Sequence, residues 1–285
     1  MGRGLNKMKA KNVYNVIIFV VLFLVSLVFV IPFLWTFISS IKPDNEIYST
    51  NIKILPTAVS WIHYQKVFTQ LGDFLAFFRN SLVVSFFSVA LVVIFSTTMG
   101  YSLSKLKYFG KPFFAGVILL VLTIPYVIYL IPIYIMESNA AMLDTCWGLI
   151  LPYVATNLPL AVFIMQSQFN SVPKELSEAA RIDGCNQWKT FYKIMVPVVK
   201  PGIATVIIFT FITVWGEFTY ARTLTTTPKS QTLSVGITFL RDEAASWQYG
   251  TLCATIVLSL IPTLIIFLAM QKYLVKGIME GAVKG

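Results

Sequence analysis

The chain has 285 residues, 57% of them hydrophobic and 12% charged, with a net charge of +10 at pH 7. Too little polar surface is available to dissolve a globule of this length, so the composition places the chain in a bilayer. The positive excess comes without a basic stripe interleaved with aromatics, which argues against nucleic acid and for membrane topology and attraction to an anionic inner leaflet.

Crossing roughly 30 Å of hydrocarbon takes about 20 helical residues, and six runs are long and apolar enough: 16–38, 81–103, 113–134, 146–166, 203–220 and 251–270. Helices are expected, because a lipid-exposed backbone must satisfy its own hydrogen bonds and these runs lack the alternation of barrel strands. The fold class is therefore an all-α integral membrane protein with six transmembrane helices. Residues 1–41 read as an N-terminal cytoplasmic segment and first anchor, 42–80 as an outer loop, and 81–285 as a core of five further spans. That core includes a charged loop at 171–201 and a tail at 271–285. The first run exceeds the about 7–15 apolar residues of a signal peptide and no small-residue cleavage site follows it, so it is expected to be a retained anchor.

Lys and Arg set the orientation. Arg3, Lys7, Lys9 and Lys11 precede the first span, Lys105, Lys107 and Lys111 lie between the second and third, and Lys174, Arg181, Lys189, Lys193 and Lys200 between the fourth and fifth. With Lys272, Lys276 and Lys284 after the last span, that side holds 15 cations against 7 on the other. Both termini are expected to be cytoplasmic.

In the outer segment 42–80, His63 is the sole histidine of the chain. With no ligand at metal-binding spacing it reads as a surface or packing residue. Cys146, Cys185 and Cys253 are scattered, giving neither a disulfide framework nor a zinc site. GxSxG, HExxH and Walker A patterns are absent. No catalytic, cofactor or metal residues are assigned, and any ATP is expected to be bound by another polypeptide.

Pro125 and Pro132 in the third span, and Pro152, Asn157 and Pro159 in the fourth, mark either bends beside a transport path or the ordinary tolerance of membrane helices for proline. Trp35, Tyr126, Tyr129 and Tyr134 suit interfacial anchoring, with stacking on sugar rings as the alternative. Glu217 reads as an interfacial carboxyl group paired with Arg222, or as a group within the translocation path. The outer stretch from Arg222 to Gly250 is too long for a mere connector.

The charged loop between the fourth and fifth spans is the most informative stretch. "SVPKELSEAARID" reads as a helix with Pro173 in its first turn and Glu175 at the positive end of the dipole. Gly184 is expected to end it in a left-handed C-cap, and Asn186 to cap a second helix. Trp188, Phe191, Tyr192 and Met195 recur at i, i+3, i+4 and i+7 as an apolar stripe, and Pro197 and Pro201 stop that helix. The pair forms a knuckle that either docks on a cytoplasmic partner or lies on the inner leaflet.

The pattern Glu178-Ala179-Ala180, three residues, Gly184, nine residues, Ile194, one residue, a hydrophobe and Pro197 resembles the EAA motif of importer-type ABC transporter permeases, with Val196 where Leu is usual. "GYSLSKLKYFGK", "WGLILPYVATNLPLAVFIM" and "QKYLVKGIMEGAVKG" resemble the maltose-type branch, which imports oligosaccharides and related sugars. The resemblance implies that Glu178, Ala179 and Gly184 form a coupling helix seated in a cleft of an ATP-binding subunit, with Ala180, Arg181, Asp183, Ile194 and Pro197 completing the motif segment. It implies that the tail around Gly281, Val283 and Lys284 reaches between two ATP-binding subunits. Gly216 stands where many relatives have Asn, and substrate-binding residues stay unassigned. The implied function is one of two different permease subunits in a binding-protein-dependent importer of the bacterial plasma membrane, with a solute-binding protein outside and a carbohydrate as cargo. An ion-gradient-driven transporter and an importer of a non-sugar solute are the alternatives.

Overall fold

The computed structural model describes residues 2–51, 53–70, 72–240 and 248–282. Those residues are helices and connectors, without a strand among them. They group into two compact units, Met1–Gly72 with Leu240–Leu258, and Asp73–Phe239 with Ser259–Gly285.

In the first unit, α1 (Gly2–Ser40) carries the first candidate crossing, Tyr14–Ser40. Every side chain from Tyr14 to Trp35 is exposed, as suits an apolar helix whose backbone bonds are satisfied within itself. A polar knot follows, built on α2 (Asp44–Ile47) and α3 (Ile62–Gln70). Lys66 Nζ meets Asp44 Oδ2 at 2.6 Å, and the Lys42 ammonium donates to Lys53 O at 2.5 Å while lying 4.9 Å from the Trp35 ring centroid. His63 is the buried packing residue of this knot: its Nε2 sits 2.8 Å from Lys42 O. Burial pushes its pKa below the ordinary value, outweighing the Lys42 carbonyl and Asp44, which raise it.

The second unit is built on α4 (Phe74–Lys105) and α7 (Cys146–Ser171), which pack along their length through Val84, Val92, Leu149, Met165 and Phe169. Gly100 permits the close approach, since a Cβ there would lie 2.7 Å from Met165 Cβ and 2.9 Å from Gln166 N; small residues play this part between membrane helices. α7 runs unbroken through Pro152 and Pro159. α11 (Lys200–Trp215) completes the packed group with Val206 and Val214.

Two expected spans are not single helices. The third divides into α5 (Lys111–Thr123), a 3₁₀ turn (Tyr126–Tyr129) and α6 (Leu130–Asn139), with a 95° bend between α5 and the rest. Its cause is local: Pro125 forces the preceding Ile124 into extended backbone, φ −92° and ψ 122°. The fifth is preceded by α8 (Lys174–Ile182), α9 (Gln187–Lys189), a π-helical turn (Thr190–Met195) and α10 (Val196–Val198). The part of that run from Gln187 to Val198 meets α11 at a 73° bend, and α11 ends at Trp215 rather than at residue 220. Pro197 and Pro201 occupy first-turn positions of α10 and α11, so they open helices rather than close one. The chain continues through α12 (Thr219–Leu224), α13 (Leu233–Gly236) and a 3₁₀ turn (Ile237–Leu240), and ends in α14 (Tyr249–Ala282). Among the described residues, four helices are thus long and apolar enough to cross a membrane, and the two bent pairs bring the number to six if each counts as one span.

Candidate functional site

The charged loop forms a defined knuckle. Pro173 stands at the N-cap of α8, one residue before the first-turn position expected for it, and Glu175 lies in the first turn. At the other end Cys185 N–H donates to Ala180 O at 2.9 Å and Gly184 N–H to Arg181 O at 3.1 Å, the paired bonds of a Schellman motif. Gly184 has φ +77°, the left-handed conformation expected of it, and its Cα faces open space. Asn186 Oδ1 accepts Lys189 N–H at 2.8 Å and caps α9 as expected.

Burial sorts the motif residues. Glu178, Ala179, Arg181, Asp183, Gly184 and Pro197 are exposed, Ile194 is half-buried, and Ala180 turns inward at 2% exposure. Ile182, which the sequence reading passed over, projects from the tip at 86% exposure. Its signal was available: it is the apolar residue between Arg181 and Asp183, off the face carried by Ala180. The apolar stripe of the second helix splits. Met195 is buried and Phe191 half-buried, whereas Trp188 and Tyr192 are exposed. The π turn is the reason, because i→i+5 bonding shifts the phase so that Thr190 and Met195, five apart, face inward together.

An aromatic relay ties the knuckle to the spans. Phe169 of α7 meets Tyr101 of α4 at 5.4 Å, Tyr101 meets Phe191 at 4.9 Å, and Phe191 meets Trp188 at 6.3 Å between ring centroids. Lys105 Nζ donates to Val172 O at 2.6 Å and Ser104 Oγ to Asn170 Oδ1 at 2.6 Å, fixing the end of α4 to the entry of α8.

At the far end of α7, Asp144 clamps the loop after α12. It accepts from Thr226 N–H at 2.8 Å, Thr227 N–H at 3.0 Å, Thr227 Oγ1 at 2.6 Å and Ser230 Oγ. Burial pushes its pKa up, but these hydrogen bonds outweigh burial and hold the carboxyl group well below the usual carboxylate range. Its backbone is left-handed, φ +58°, which Asp tolerates better than most residues. From α4, Asn80 Nδ2 faces the carbonyls of Pro228, Lys229 and Gln231 at 3.0–3.1 Å, and Ser81 Oγ accepts Leu233 N–H at 2.8 Å.

Glu217 is held differently from the expected pairing with Arg222. Tyr153 Oη donates to its Oε2 at 2.7 Å, and the N–H groups of Tyr220 and Ala221 donate to the same carboxyl group at 3.0–3.1 Å, capping α12. Asn157 bridges α7 and α11: its Nδ2 donates to Tyr153 O and its Oδ1 accepts from Thr213 Oγ1, both at 2.8 Å. Among the described residues no three His, Cys, Asp or Glu side chains gather as a metal site. In the tail, Gly281 lies on α14, whereas Val283 and Lys284 lie outside the described residues.

Residues 93–280 match the family model described as binding-protein-dependent transport system inner membrane component. The chain is 31% identical over 261 residues to the diacetylchitobiose uptake system permease protein of Streptomyces coelicolor, covering 91% of this chain and 86% of the relative. It is 28% identical over 276 residues to the arabinooligosaccharides transport system permease protein of Bacillus subtilis, covering 96% and 97%. Among solved structures, a bacterial ABC transporter that imports the acidic polysaccharide alginate aligns with a TM-score of 0.79 at 23% identity, covering 93% of this chain and 98% of that one. A multi-pass helical chain whose knuckle and spans align with these permeases over nearly its whole length belongs to the binding-protein-dependent transport system inner membrane component family.

Proposed function

We propose that the chain is one of two different permease subunits of an ABC importer for an oligosaccharide or related sugar. Two separate ATP-binding subunits supply the hydrolysis, so the chain itself is not an enzyme, and a solute-binding protein delivers the cargo from outside. The cation asymmetry supports cytoplasmic termini in a bacterial inner membrane. The names of the relatives support the cargo class.

The observation that carries this reading is the knuckle itself: a nine-residue helix with Glu178, Ala179 and Arg181 outward and an exposed C-cap, Asp183, turned by a left-handed glycine. Its exposed, apolar Ile182 and the small Ala179 suit a fitted protein cleft. Because the aromatic relay joins the segment after the glycine turn to α4 and α7 and Lys105 ties α4 to the entry of α8, a push on α8 is passed to two spans as a rigid-body movement, which is what alternating access requires. The C-terminal segment including Gly281, Val283 and Lys284 is assigned to the same ATPase pair by the family resemblance.

The test is to co-express the chain with its partner subunits, reconstitute the complex, and measure ATPase stimulation by the binding protein across a panel of oligosaccharides, amino acids and peptides. Stimulation by a carbohydrate is expected. Stimulation confined to a non-sugar solute would overturn the cargo, and uptake driven by an ion gradient without ATP would overturn the importer.

A further inference from the structure

The two chain breaks in the second unit meet. α11 stops at Trp215, and its Thr213 is hydrogen-bonded to Asn157, which lies about 17 Å along a 26-residue helix about 39 Å long. The fifth span thus loses its helical ladder level with the middle of α7. The break after α5 reaches the same place: Tyr220 Oη donates to Tyr126 O at 2.7 Å, and the two rings stack at 5.9 Å with planes 20° apart. Irregular backbone at such depth is tolerated where protein buries it or where it lines a water-filled cavity. Interrupted helices near the middle of a membrane are also where transporters place their cargo sites.

Which of those two conditions applies is read from exposure. Tyr153 and Tyr220 are enclosed, at 2% and 1% exposure, and act as supports. Thr213 and Tyr126 are exposed, and Asn157 and Glu217 are half-exposed. The Thr213 hydroxyl, the Asn157 amide and the Glu217 carboxyl group, linked through Tyr153, cannot face lipid tails without a large cost. Each keeps capacity to bond further: Asn157 Nδ2 uses one hydrogen on Tyr153 O, Glu217 Oε1 accepts only the Tyr220 N–H, and Thr213 Oγ1, whose proton is directed at Asn157 Oδ1 and the carbonyls of Phe209 and Thr210, keeps its lone pairs as an acceptor. Tyr126 has one ring face on Tyr220 while 47% of the residue stays open. An aromatic plate beside a few aimed polar groups is the make-up of a small-molecule site, and it matches a sugar ring, with one apolar CH face and hydroxyls around its rim.

The geometry points to a carbohydrate-contact strip on this subunit, formed by Tyr126, Asn157, Thr213 and Glu217, with Tyr126 stacking on a sugar ring and the other three receiving its hydroxyls. Tyr153 and Tyr220 are positioning residues. The strip rests on the importer reading above and deepens it by naming the surface that meets the cargo.

The complete transporter is reconstituted in proteoliposomes with its binding protein, and uptake of radiolabelled trehalose, diacetylchitobiose, arabinotriose and galactotriose is measured together with ATP hydrolysis. The wild-type complex is expected to import at least one of them. For Tyr126→Ala and Thr213→Val, sugar delivered per ATP hydrolysed is expected to fall about tenfold, the scale of one lost stacking or hydrogen-bonding contact. Tyr126→Phe, which keeps the ring, is expected to restore it. A purely structural fault would lower complex yield rather than this ratio. Thr213→Val preserves shape on an exposed position and keeps the test open if Tyr126→Ala fails to assemble. Wild-type sugar import with unchanged ratios in Tyr126→Ala and Thr213→Val would overturn the strip alone. A wild-type complex that moves only a non-carbohydrate solute would overturn both readings.

Discussion

Thr227 is bound to Asp144 twice, through its N–H at 3.0 Å and its hydroxyl at 2.6 Å, although 83 residues separate the two in sequence. The loop after α12 is thereby shaped by this chain alone, and in the orientation proposed above it is the face offered to the solute-binding protein. Removing the carboxyl group in Asp144→Ala leaves the N–H groups of Thr226 and Thr227 without their acceptor, and each hydrogen bond to a charged group contributes roughly 1.5–3 kcal/mol. The variant is expected to assemble with its partners yet to need a severalfold higher concentration of binding protein for half-maximal ATPase stimulation. An unchanged titration would show that the loop's shape does not matter to docking.

The pH dependence of this clamp follows from the sign of the shift. A carboxyl group with a depressed pKa contributes stability above its unfolded pKa, about 3.9, and that stability is lost as pH falls through the lower folded value. With the folded value of Asp144 well below the usual range, the clamp is expected to hold unchanged from pH 5 to 8. Protease nicking within 225–231 of the purified complex is the measurement, and nicking that rises between pH 7 and pH 5 would contradict the assignment.

At the knuckle, Glu178→Lys puts a reversed charge in a fitted contact, where a mispaired buried group costs several kcal/mol, whereas on an anionic leaflet the same change is favourable by about 1 kcal/mol. Gly184→Val has open space around its Cβ, so its penalty comes from φ +77° alone. Both variants are expected to lose ATP-binding subunits on purification and to lower sugar uptake. Normal retention and uptake in both would remove the docking reading in favour of the leaflet.

Topology is checked by thiol labelling in a background lacking Cys146, Cys185 and Cys253. Ser49 and Lys229 are exposed, as is Ser171, whereas Ser230 is buried against Asp144 and unsuited to a probe. Ser49→Cys and Lys229→Cys are expected to react with an impermeant reagent on intact cells or spheroplasts, and Ser171→Cys only after permeabilisation. The opposite pattern would invert the orientation.

Gly100→Leu would drive a side chain into Met165 and the backbone of α7. Overpacking of this kind costs about 1–3 kcal/mol or more, so the complex is expected to melt at a lower temperature in detergent, while Gly116→Leu, with nothing within 4 Å of its Cβ, is expected to be neutral.

Much of this architecture is written in local chemistry. Gly184 and Asn186 behave as their residue types demand, because caps depend on a handful of neighbouring backbone groups. The six apolar runs were visible for the same reason, each being a property of its own window. The break at Pro125 is harder to see, because its neighbours Ile124, Val127 and Ile128 are as apolar as the helices they separate and a hydropathy window averages across them, whereas the break at Gly216 is marked only by the polar Glu217 beside it. Least visible were contacts between distant segments. Nothing near Glu217 in sequence names Tyr153, and nothing near Asp144 names Ser230; Arg222 is the partner that local sequence offers Glu217, and only the packing of α7 supplies Tyr153 in its place.

The π turn at Thr190–Met195 gives the knuckle a tolerance to changes of chain length. A π turn wraps one more residue than an α turn, so the stretch between Trp188 and the start of α11 holds a spare residue. Deleting the exposed Tyr192 would let the remainder close as an ordinary α turn, with α8 still aimed in nearly its present direction. A one-residue deletion inside α11 has no such slack: it would swing everything before it by about 100° about the helix axis. One-residue deletions that the knuckle survives are therefore expected at 190–195, and those it does not survive at 203–213.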